Sequence, residues 1–309
     1  MIEGDDLELF ARSLRAATEQ HTEPAALDAA IAELGWDDSL TFDPRAAISI
    51  RFEVQGEACA RSSALDRVVA FGLGRELDAD TAVVLPAIGA VDAPGRAEGD
   101  RVVVHGLLTS ARSSLLVGGA VVDAGALDLR AVHGVDPDLG LVEVRGELGA
   151  VPVVSDPGDW PEAVRLAQLA VAHELVGASR RSLALAREHA LERIQFGQPI
   201  AKFQAVRHRL AETLVAIETA DAVLDAAWLD GTGLTAAMAK ATAGRSARVA
   251  SKHCQQVLAG IGFTTEHDLH RYVRRILVLD QLFGSSAVLT KQLGQDILAS
   301  RTLPPLLPL

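Results

Sequence analysis

The chain has little of several features that mark particular classes of protein. Its 309 residues include only two cysteines, Cys59 and Cys254, which form neither a CxxC pair nor a disulfide framework. This favours two buried, reduced thiols. No run approaches the roughly 18–20 consecutive apolar residues that span a bilayer, and the acidic start, MIEGDD, is unlike the basic start of a signal peptide. We therefore expect a cytoplasmic protein without a membrane segment.

Basic charge is also scarce. Lysine and arginine total 29 against 41 aspartates and glutamates, a formal net charge of −12. Such a surface repels phosphate backbones, so nucleic acid is not an expected partner, and an anionic coenzyme would need a local basic patch. Aromatic residues make up only 4%, so contacts between helices should rest on Ala, Leu and Val. With 49% hydrophobic residues, the chain still has ample material for a core of about two domains.

Hydrophobic periodicity divides the chain into three regions with an α+β composition. The spacing of apolar residues predicts a helical domain over residues 1–78, with helices in 5–34 and a further helix in 63–74. Residues 79–155 consist of short apolar runs between Gly, Pro and Asp turns, which predicts a compact, reduced β domain formed by one antiparallel sheet of about six strands.

Residues 156–301 predict an antiparallel helical bundle. Asp159 is a candidate cap for its first helix, and Glu162 is interpreted as a second capping residue. The predicted helices cover 160–191, 204–229, 234–258, 270–282 and 287–300. The tail, 302–309, has the sequence TLPPLLPL and cannot be helical, so we expect it to be either loose or docked on a partner.

Common catalytic motifs do not account for this chain. His173-Glu174 lacks the second histidine of H-E-x-x-H, because Gly177 stands there, and the nine histidines show no metal-ligand spacing. Gly72-Leu73-Gly74 has no third glycine in register and follows a helix, unlike a dinucleotide fingerprint. Neither a P-loop nor G-x-S-x-G occurs. No metal site is expected.

Two segments of the helical bundle carry a specific pattern. The first is RIQFGQPI at 193–200, followed by Phe203-Gln204; the second is QQVLAGIGF at 255–263, followed by Thr265-Glu266 and Arg274. Together they resemble the acyl-CoA dehydrogenase family, flavoenzymes that desaturate acyl-CoA thioesters between the α and β carbons. The order of helical, β and helical regions is also that of the family. The resemblance implies FAD as cofactor, an acyl-CoA as substrate and an electron-transferring flavoprotein as electron acceptor.

The chemistry of these segments suits a bound dinucleotide. An arginine at the end of a long helix presents a fixed fork to a pyrophosphate, and glycines let a cofactor approach the backbone. By resemblance, these elements reach across a dimer interface to the adenosine diphosphate half of a neighbour's FAD. The cofactor-binding residues implied in this way are Arg193, Gln195, Phe196, Gln256 and Gly260.

The proton-abstracting base of the family is not apparent. The reaction needs a carboxylate near the α carbon, which the family usually places just before a Gly-Thr pair after the fourth helix of the bundle. Phe283 stands there in this chain. In other members the base lies near the start of the first long helix, where Ala167 stands. The nearest carboxylates are Glu162 and Glu174. No catalytic residue is therefore expected.

The expected flavin-binding segments of the β domain are also incomplete. A Thr-Glu-Pro loop is unrecognisable around 84–87, and a Trp-x-Thr segment survives only as Gly106–Ser110, with Leu in place of Trp. The resemblance therefore implies a non-catalytic subunit in a two-plus-two heterotetramer with a complete acyl-CoA dehydrogenase. Such pairs act on steroid side-chain CoA thioesters in actinobacteria, and the Ala- and Arg-rich composition suits that source. The alternatives are a self-sufficient homo-oligomer with an atypical base such as Glu174, or a flavin-free scaffold.

Overall fold

The computed structural model describes residues 4–149 and 159–301. Five helices form the N-terminal region: α1 (Gly4–Gln20), α2 (Pro24–Glu33), α3 (Trp36–Phe42), α4 (Pro44–Ala58) and α5 (Ala64–Gly72). The helices expected in 5–34 and 63–74 are confirmed. Hydrophobic periodicity predicted neither α3 nor α4. Helix α4 begins at Pro44 with Asp43 as its cap, and it buries even Arg51, Gln55 and Gly56, so it shows little of the amphipathic stripe on which the prediction depends.

The β region has eight strands within 81–149. They are β1 (Thr81–Val83), β2 (Leu85–Pro86), β3 (Gly95–Glu98), β4 (Arg101–Leu108), β5 (Ser114–Val117), β6 (Ala120–Asp123), β7 (Asp128–Ala131) and β8 (Val142–Gly149). The hairpin expected at Glu98-Gly99-Asp100 is confirmed, because Glu98 pairs with Arg101 and Gly99 has a φ of 64°.

The prediction of one antiparallel sheet was wrong. The strands form a three-stranded sheet, β1-β5-β6, and a five-stranded sheet, β2-β4-β8-β7, in which β3 also pairs with β4. Strands β1 and β5 are parallel. A shared apolar core that includes Val84, Val104 and Leu115 explains the second sheet, because strands this short bury their apolar faces by packing sheet on sheet.

The C-terminal bundle matches its five predicted helices. They are α6 (Trp160–Glu192), α7 (Gln204–Asp230), α8 (Gly233–Leu258), α9 (Leu269–Leu279) and α10 (Ser286–Ser300). A short hairpin, β9 (Ile194–Gln195) and β10 (Gln198–Pro199), separates α6 from α7. Helix α9 ends three residues before the predicted position because residues 280–283 form turns. The predicted domain boundary at 155/156 and the tail 302–309 lie outside the described residues.

Helix α6 connects the helical regions. Its 33 residues, a length of about 50 Å, pack on α4 and α5 as well as on α7, α8 and α9. The main core cluster joins residues of the N-terminal helices, α6 and the rest of the bundle. No helix within 4–149 and 159–301 is long and apolar enough to cross a membrane. The α+β prediction is confirmed.

Candidate functional site

The first motif forms a tight hairpin at the end of α6. Arg193 is the C-terminal cap of that helix, and its carbonyl accepts a hydrogen bond from Ile200 N at 2.8 Å. The two residues at the hairpin tip, Phe196 and Gly197, have φ angles of 53° and 77°. Positive φ at both central positions is what a type I′ turn requires, and Gly meets it without strain. The backbone at Arg193 is therefore fixed from both sides.

The second motif forms the end of α8. Ala259 leaves the helix with a φ of 55° and a ψ of −134°, and a 3₁₀ turn follows over Ala259–Phe263. Gly262 packs so tightly that a Cβ would lie 2.9 Å from Gln255 O. At Gly260, by contrast, a Cβ would meet no atom within 4 Å. The backbone at Gly260 is thus open to a ligand.

These two motifs enclose a cleft of about 460 Å³. That volume lies within the usual range of roughly 300–1,000 Å³ for small-molecule sites. Its lining residues are His189, Arg193, Gln195, Ile200, Val257, Leu258, Ala259, Gly260 and Ile261. Three of the five predicted cofactor-binding residues, Arg193, Gln195 and Gly260, therefore meet at one cavity.

The other two predicted residues do not line the cleft. Phe196 is 91% exposed at the hairpin tip, where its ring contacts Phe203 edge-to-face with centroids 6.1 Å apart. Gln256 is exposed on the last turn of α8. An exposed aromatic ring beside a cleft is available to a molecule that approaches from outside the chain.

Arg193 supplies the positive charge of the cleft. Within residues 4–149 and 159–301, its guanidinium has no ion pair and no hydrogen bond. Burial, and to a lesser extent electrostatic interaction with His267 and Arg193, lowers the pKa of His189, whose ring lies 6.3 Å from that of His267. Helices α6 and α8 both end at the cleft, so their dipoles disfavour an anion there. Binding of a diphosphate would depend on Arg193.

The composition of the cleft fits the adenosine diphosphate half of FAD. Arg193 could hold the diphosphate, because a guanidinium forms bidentate hydrogen bonds with phosphate oxygens. Gln195 offers both a donor and an acceptor, and the open backbone at Gly260 allows close approach. Ile200 and Ile261 provide apolar walls.

Phe283 and Ala167, the residues expected from the sequence at the family's base positions, both lie in the core. Phe283 is 1% exposed and has a φ of 53°; its carbonyl accepts a hydrogen bond from Gln168 Nε2 at 3.1 Å. Lys240 Nζ donates to the carbonyls of Asp280 and Gly284 at 3.1 and 3.2 Å. Burial lowers the pKa of Lys240 to about 8. The loop that carries Phe283 is thus anchored by buried polar side chains. Ala167 is also fully buried.

The two nearest carboxylates are already engaged. Glu174 is 2% exposed, accepts from Gln55 Nε2 at 2.9 Å and lies 3.6 Å from Arg275 Nη1. Its burial raises its pKa, while the charge of Arg275 opposes that shift. Glu162 forms two hydrogen bonds with Arg165, at 2.6 and 2.7 Å. The interpretation of Glu162 as a capping side chain was wrong, because the cap is Asp159, whose Oδ1 accepts from Glu162 N.

Thr109, in the segment where we expected the Trp-x-Thr pattern, forms hydrogen bonds with other residues of this chain. Thr109 Oγ1 donates to Asp66 Oδ1 at 3.0 Å, and Arg61 Nη2 donates to Thr109 O at 3.1 Å. Burial raises the pKa of Asp66 to about 7. The Arg61 guanidinium also fills the space beside Gly140, the residue two positions before β8, because a Cβ at Gly140 would lie 2.1 Å from Arg61 Nη1. No sequence signal linked Arg61 or Asp66 to this segment, since their partners are more than 40 residues away.

Comparison with known proteins identifies relatives of this chain. Residues 162–298 match the family model described as acyl-CoA dehydrogenase, C-terminal domain. Acyl-CoA dehydrogenase IpdE2 of Mycobacterium tuberculosis is 27% identical over 95% of this chain and 98% of its own length. Acyl-CoA dehydrogenase FadE34 of the same organism is 36% identical over 71% of this chain, which covers only 30% of that longer protein.

Two solved structures share the fold over nearly the whole chain. A variant of the Tcur3481-Tcur3483 steroid ACAD has a TM-score of 0.77 at 20% identity, and it covers 96% of this chain and 99% of its own. The ChsE4-ChsE5 complex from Mycobacterium tuberculosis also has a TM-score of 0.77, at 19% identity, and covers 98% and 99%. The matched domain is that of a family of FAD-dependent oxidoreductases of acyl-CoA thioesters. Residues 162–298 carry an acyl-CoA dehydrogenase C-terminal domain, and the chain as a whole is similar to acyl-CoA dehydrogenases in sequence and in fold.

Proposed function

We propose that this chain is the non-catalytic subunit of an FAD-dependent acyl-CoA dehydrogenase, assembled as a two-plus-two heterotetramer with a complete partner chain. One contrast carries the proposal. The chain keeps an open cleft lined by Arg193, which has no ion-pair partner among the residues that the structure describes, whereas a buried phenylalanine, Phe283, stands where we expect a proton acceptor to be needed. A subunit that retains the binding residues and lacks the base can serve a neighbour's active site.

The residues of the cleft have separate roles in this proposal. Arg193 binds the diphosphate of the partner's FAD, and Gln195 and the backbone at Gly260 contact the remainder of the adenosine half. Phe196 and Gln256, both exposed beside the cleft, meet the same cofactor from the subunit interface. FAD, when bound, accepts the β hydride of the acyl chain. The α proton is taken by a carboxylate of the partner, since Phe283 cannot accept one.

The engaged polar groups of the β domain support the same division of roles. Thr109 donates to Asp66, and Arg61 fills the space beside Gly140. The polar groups around Thr109 are therefore occupied by contacts within the chain and are not available to bind a flavin ring. The alternative of a self-sufficient enzyme with Glu174 as base is disfavoured, because that carboxylate is buried between Gln55 and Arg275.

The substrate we propose is a bulky acyl-CoA of the steroid side-chain class. The support is the relative IpdE2, matched over nearly its whole length, and the fold shared with assemblies whose names include steroid ACAD. We further propose an electron-transferring flavoprotein as acceptor and the cytoplasm as location. The net charge of −12 argues against nucleic acid as a partner.

Substitution of Arg193 tests the proposed contact with FAD. In the complex with the catalytic chain, Arg193→Ala should weaken FAD binding by about 10- to 100-fold, because a charge-assisted hydrogen bond contributes roughly 1.5–3 kcal/mol. FAD affinity is measured by titrating the apo complex. Arg187→Ala is the matched control: it removes the same charge from α6 at an exposed position that does not line the cleft. Equal FAD affinity in the Arg193 variant and the control would refute the contact and favour a flavin-free scaffold.

A further inference from the structure

The cofactor cleft contains a single permanent positive charge. Of the residues that line it, Arg193 is always charged, His189 can become charged by taking up a proton, and the others are neutral. The diphosphate of FAD, by contrast, carries two negative charges. Because α6 and α8 both end at the cleft, their dipoles also disfavour an anion there. A diphosphate bound by Arg193 alone would therefore keep one negative charge that the lining residues do not balance.

His189 lies where it can supply the second positive charge. It precedes Arg193 by four residues, and the Arg193 N–H donates to His189 O at 2.9 Å, so the last turn of α6 is intact between them. Residues at this spacing lie on the same helical face, one turn apart. Both side chains line the cleft. In the parts of the chain that the structure describes, the half-buried His189 ring forms no hydrogen bond, so its nitrogens are available to a ligand.

The groups around His189 favour its neutral form. Burial is the largest cause that lowers its pKa from the usual 6.5, and interaction with His267 and Arg193 lowers the pKa further. His267 faces it from the segment before α9, with ring centroids 6.3 Å apart. Glu192 and the C-terminal dipole of α6 act in the opposite direction. Residues 257–261, at the end of α8, bring no charge to the cleft. The imidazole is therefore mainly neutral at pH 7.

A diphosphate in the cleft would reverse this balance. Its negative charges favour the protonated imidazole, which donates hydrogen bonds from both ring nitrogens, whereas the neutral ring donates from one. The pKa of His189 would then be higher with the diphosphate bound than without it. A group whose pKa rises on binding takes up a proton, so affinity falls as the pH rises through the interval between the two pKa values. The lower limit of that interval lies below 6.5.

We propose that His189 is a second diphosphate-binding residue of the cleft, and that it takes up one proton from solvent when the diphosphate of FAD binds. The proton adds the second positive charge, so that Arg193 and His189 together balance the two negative charges. This inference rests on the proposed function, because it requires the adenosine diphosphate half of FAD in the cleft. It makes the FAD content of the assembly depend on pH in the physiological range, where histidine is the usual titrating side chain.

The pH dependence of FAD affinity tests the proposal. The apo complex with the catalytic chain is titrated with FAD at several pH values, and affinity should fall about tenfold between pH 6 and pH 8.5, the effect of a rise of about one unit in the pKa of one group. FAD is a suitable probe because its diphosphate is esterified at both ends and does not titrate in this range. Calorimetry in two buffers of different ionisation enthalpy should also show proton uptake on binding.

Three variants separate His189 from the other titratable groups of the complex. His189→Gln keeps a hydrogen-bond donor without a charge, so its FAD affinity should vary less than about threefold over the same pH range. His189→Lys is charged throughout, so its affinity should stay near that of the unmodified complex at pH 6. His133→Gln is the matched control: it removes an exposed imidazole from the loop between β7 and β8, and the fall of about tenfold should remain.

The outcomes distinguish this inference from the proposed function. An equal pH dependence in the unmodified complex and in His189→Gln, with affinity still reduced by Arg193→Ala, would overturn the role of His189 and leave the proposed function standing. Affinity that does not vary with pH in the unmodified complex would overturn the proton uptake in the same way. Affinity that Arg193→Ala leaves unchanged would contradict the contact with FAD itself, and the inference would fail with it.

Discussion

Phe283 is the residue on which the assignment of a non-catalytic role chiefly depends. Its ring is buried, so Phe283→Ala should lower the free energy of unfolding by about 3–5 kcal/mol. The kcat of the assembled complex, per bound FAD, should nevertheless stay within about twofold of the unmodified value, since the base belongs to the partner. The measurement is turnover of an acyl-CoA with an artificial electron acceptor. Phe283→Leu, a smaller change in volume, serves as the control that preserves the core. A tenfold fall in kcat in both variants at full FAD content would contradict the assignment.

Asp66 makes the stability of the chain depend on pH. Its pKa is raised from 3.8 to about 7, so the folded chain holds this proton more tightly than the unfolded chain does. The resulting stability is full below about pH 4 and is lost as the pH rises through 7. Asp66→Asn keeps the shape and cannot ionise. The free energy of unfolding of Asp66→Asn minus that of the unmodified chain, measured by urea unfolding, should therefore increase by about 2–3 kcal/mol between pH 5 and pH 8.

The control for this prediction is Asp128→Asn, which changes an exposed carboxylate paired with Arg130. Exposed pairs contribute little, so the stability difference of this variant should be nearly constant over the same pH range. If the difference for Asp66→Asn were equally constant, the buried carboxyl would not be responsible for the pH dependence.

Individual residues differed in how far the sequence could predict them. Arg193, Gln195 and Gly260 belong to two short local motifs, and the structure brings all three to one cleft. Asp66 and its partner Thr109 are 43 residues apart, and that contact exists only after the helical and β regions pack together. Local pattern carries no information on such a pair.

At the scale of elements, the crossing of α4 and α6 depends on two glycines. A Cβ at Gly56 would lie 2.1 Å from Glu174 O, and one at Gly177 would lie 2.2 Å from Glu53 O. Gly56→Ala should therefore force the helices apart and lower the free energy of unfolding by about 1–3 kcal/mol, despite the higher helix propensity of Ala. The measurement is denaturant unfolding. Gly294→Ala on α10 is the control: a Cβ there meets no atom within 4 Å, so stability should rise by about 0.5–1 kcal/mol. An equal gain in both variants would contradict the close crossing.

The three long bundle helices were predictable because each runs for 26 residues or more between clear start and stop signals, such as Asp159 before α6 and Gly231 after α7. Helix α4 was not predictable in this way, since it is buried on nearly all sides and carries the buried Arg51. The second β sheet was missed for a different reason. Apolar runs show which residues are buried, but they do not show which strands pair.

At the scale of the whole molecule, a single buried cation connects the three regions. Arg275 of α9 donates from Nε to Asp136 at 2.7 Å, in the β region, and from Nη1 to Ala60 O at 2.7 Å, after α4. Glu174 of α6 lies 3.6 Å away. The order of the helical, β and helical regions was predicted from periodicity and resemblance, whereas this junction was not, because it joins residues 139 and 215 positions apart.

The most direct test of the central claim is to count FAD in the assembled protein. The chain is expressed alone and together with candidate complete acyl-CoA dehydrogenase chains from its source organism, and native mass and flavin absorbance are measured for each preparation. We predict that the chain alone is colourless or insoluble, and that the mixed preparation is a yellow tetramer with two copies of each chain and two FAD. A yellow homo-oligomer that desaturates an acyl-CoA on its own would contradict the account, because it would show a complete flavin site and a base within this chain.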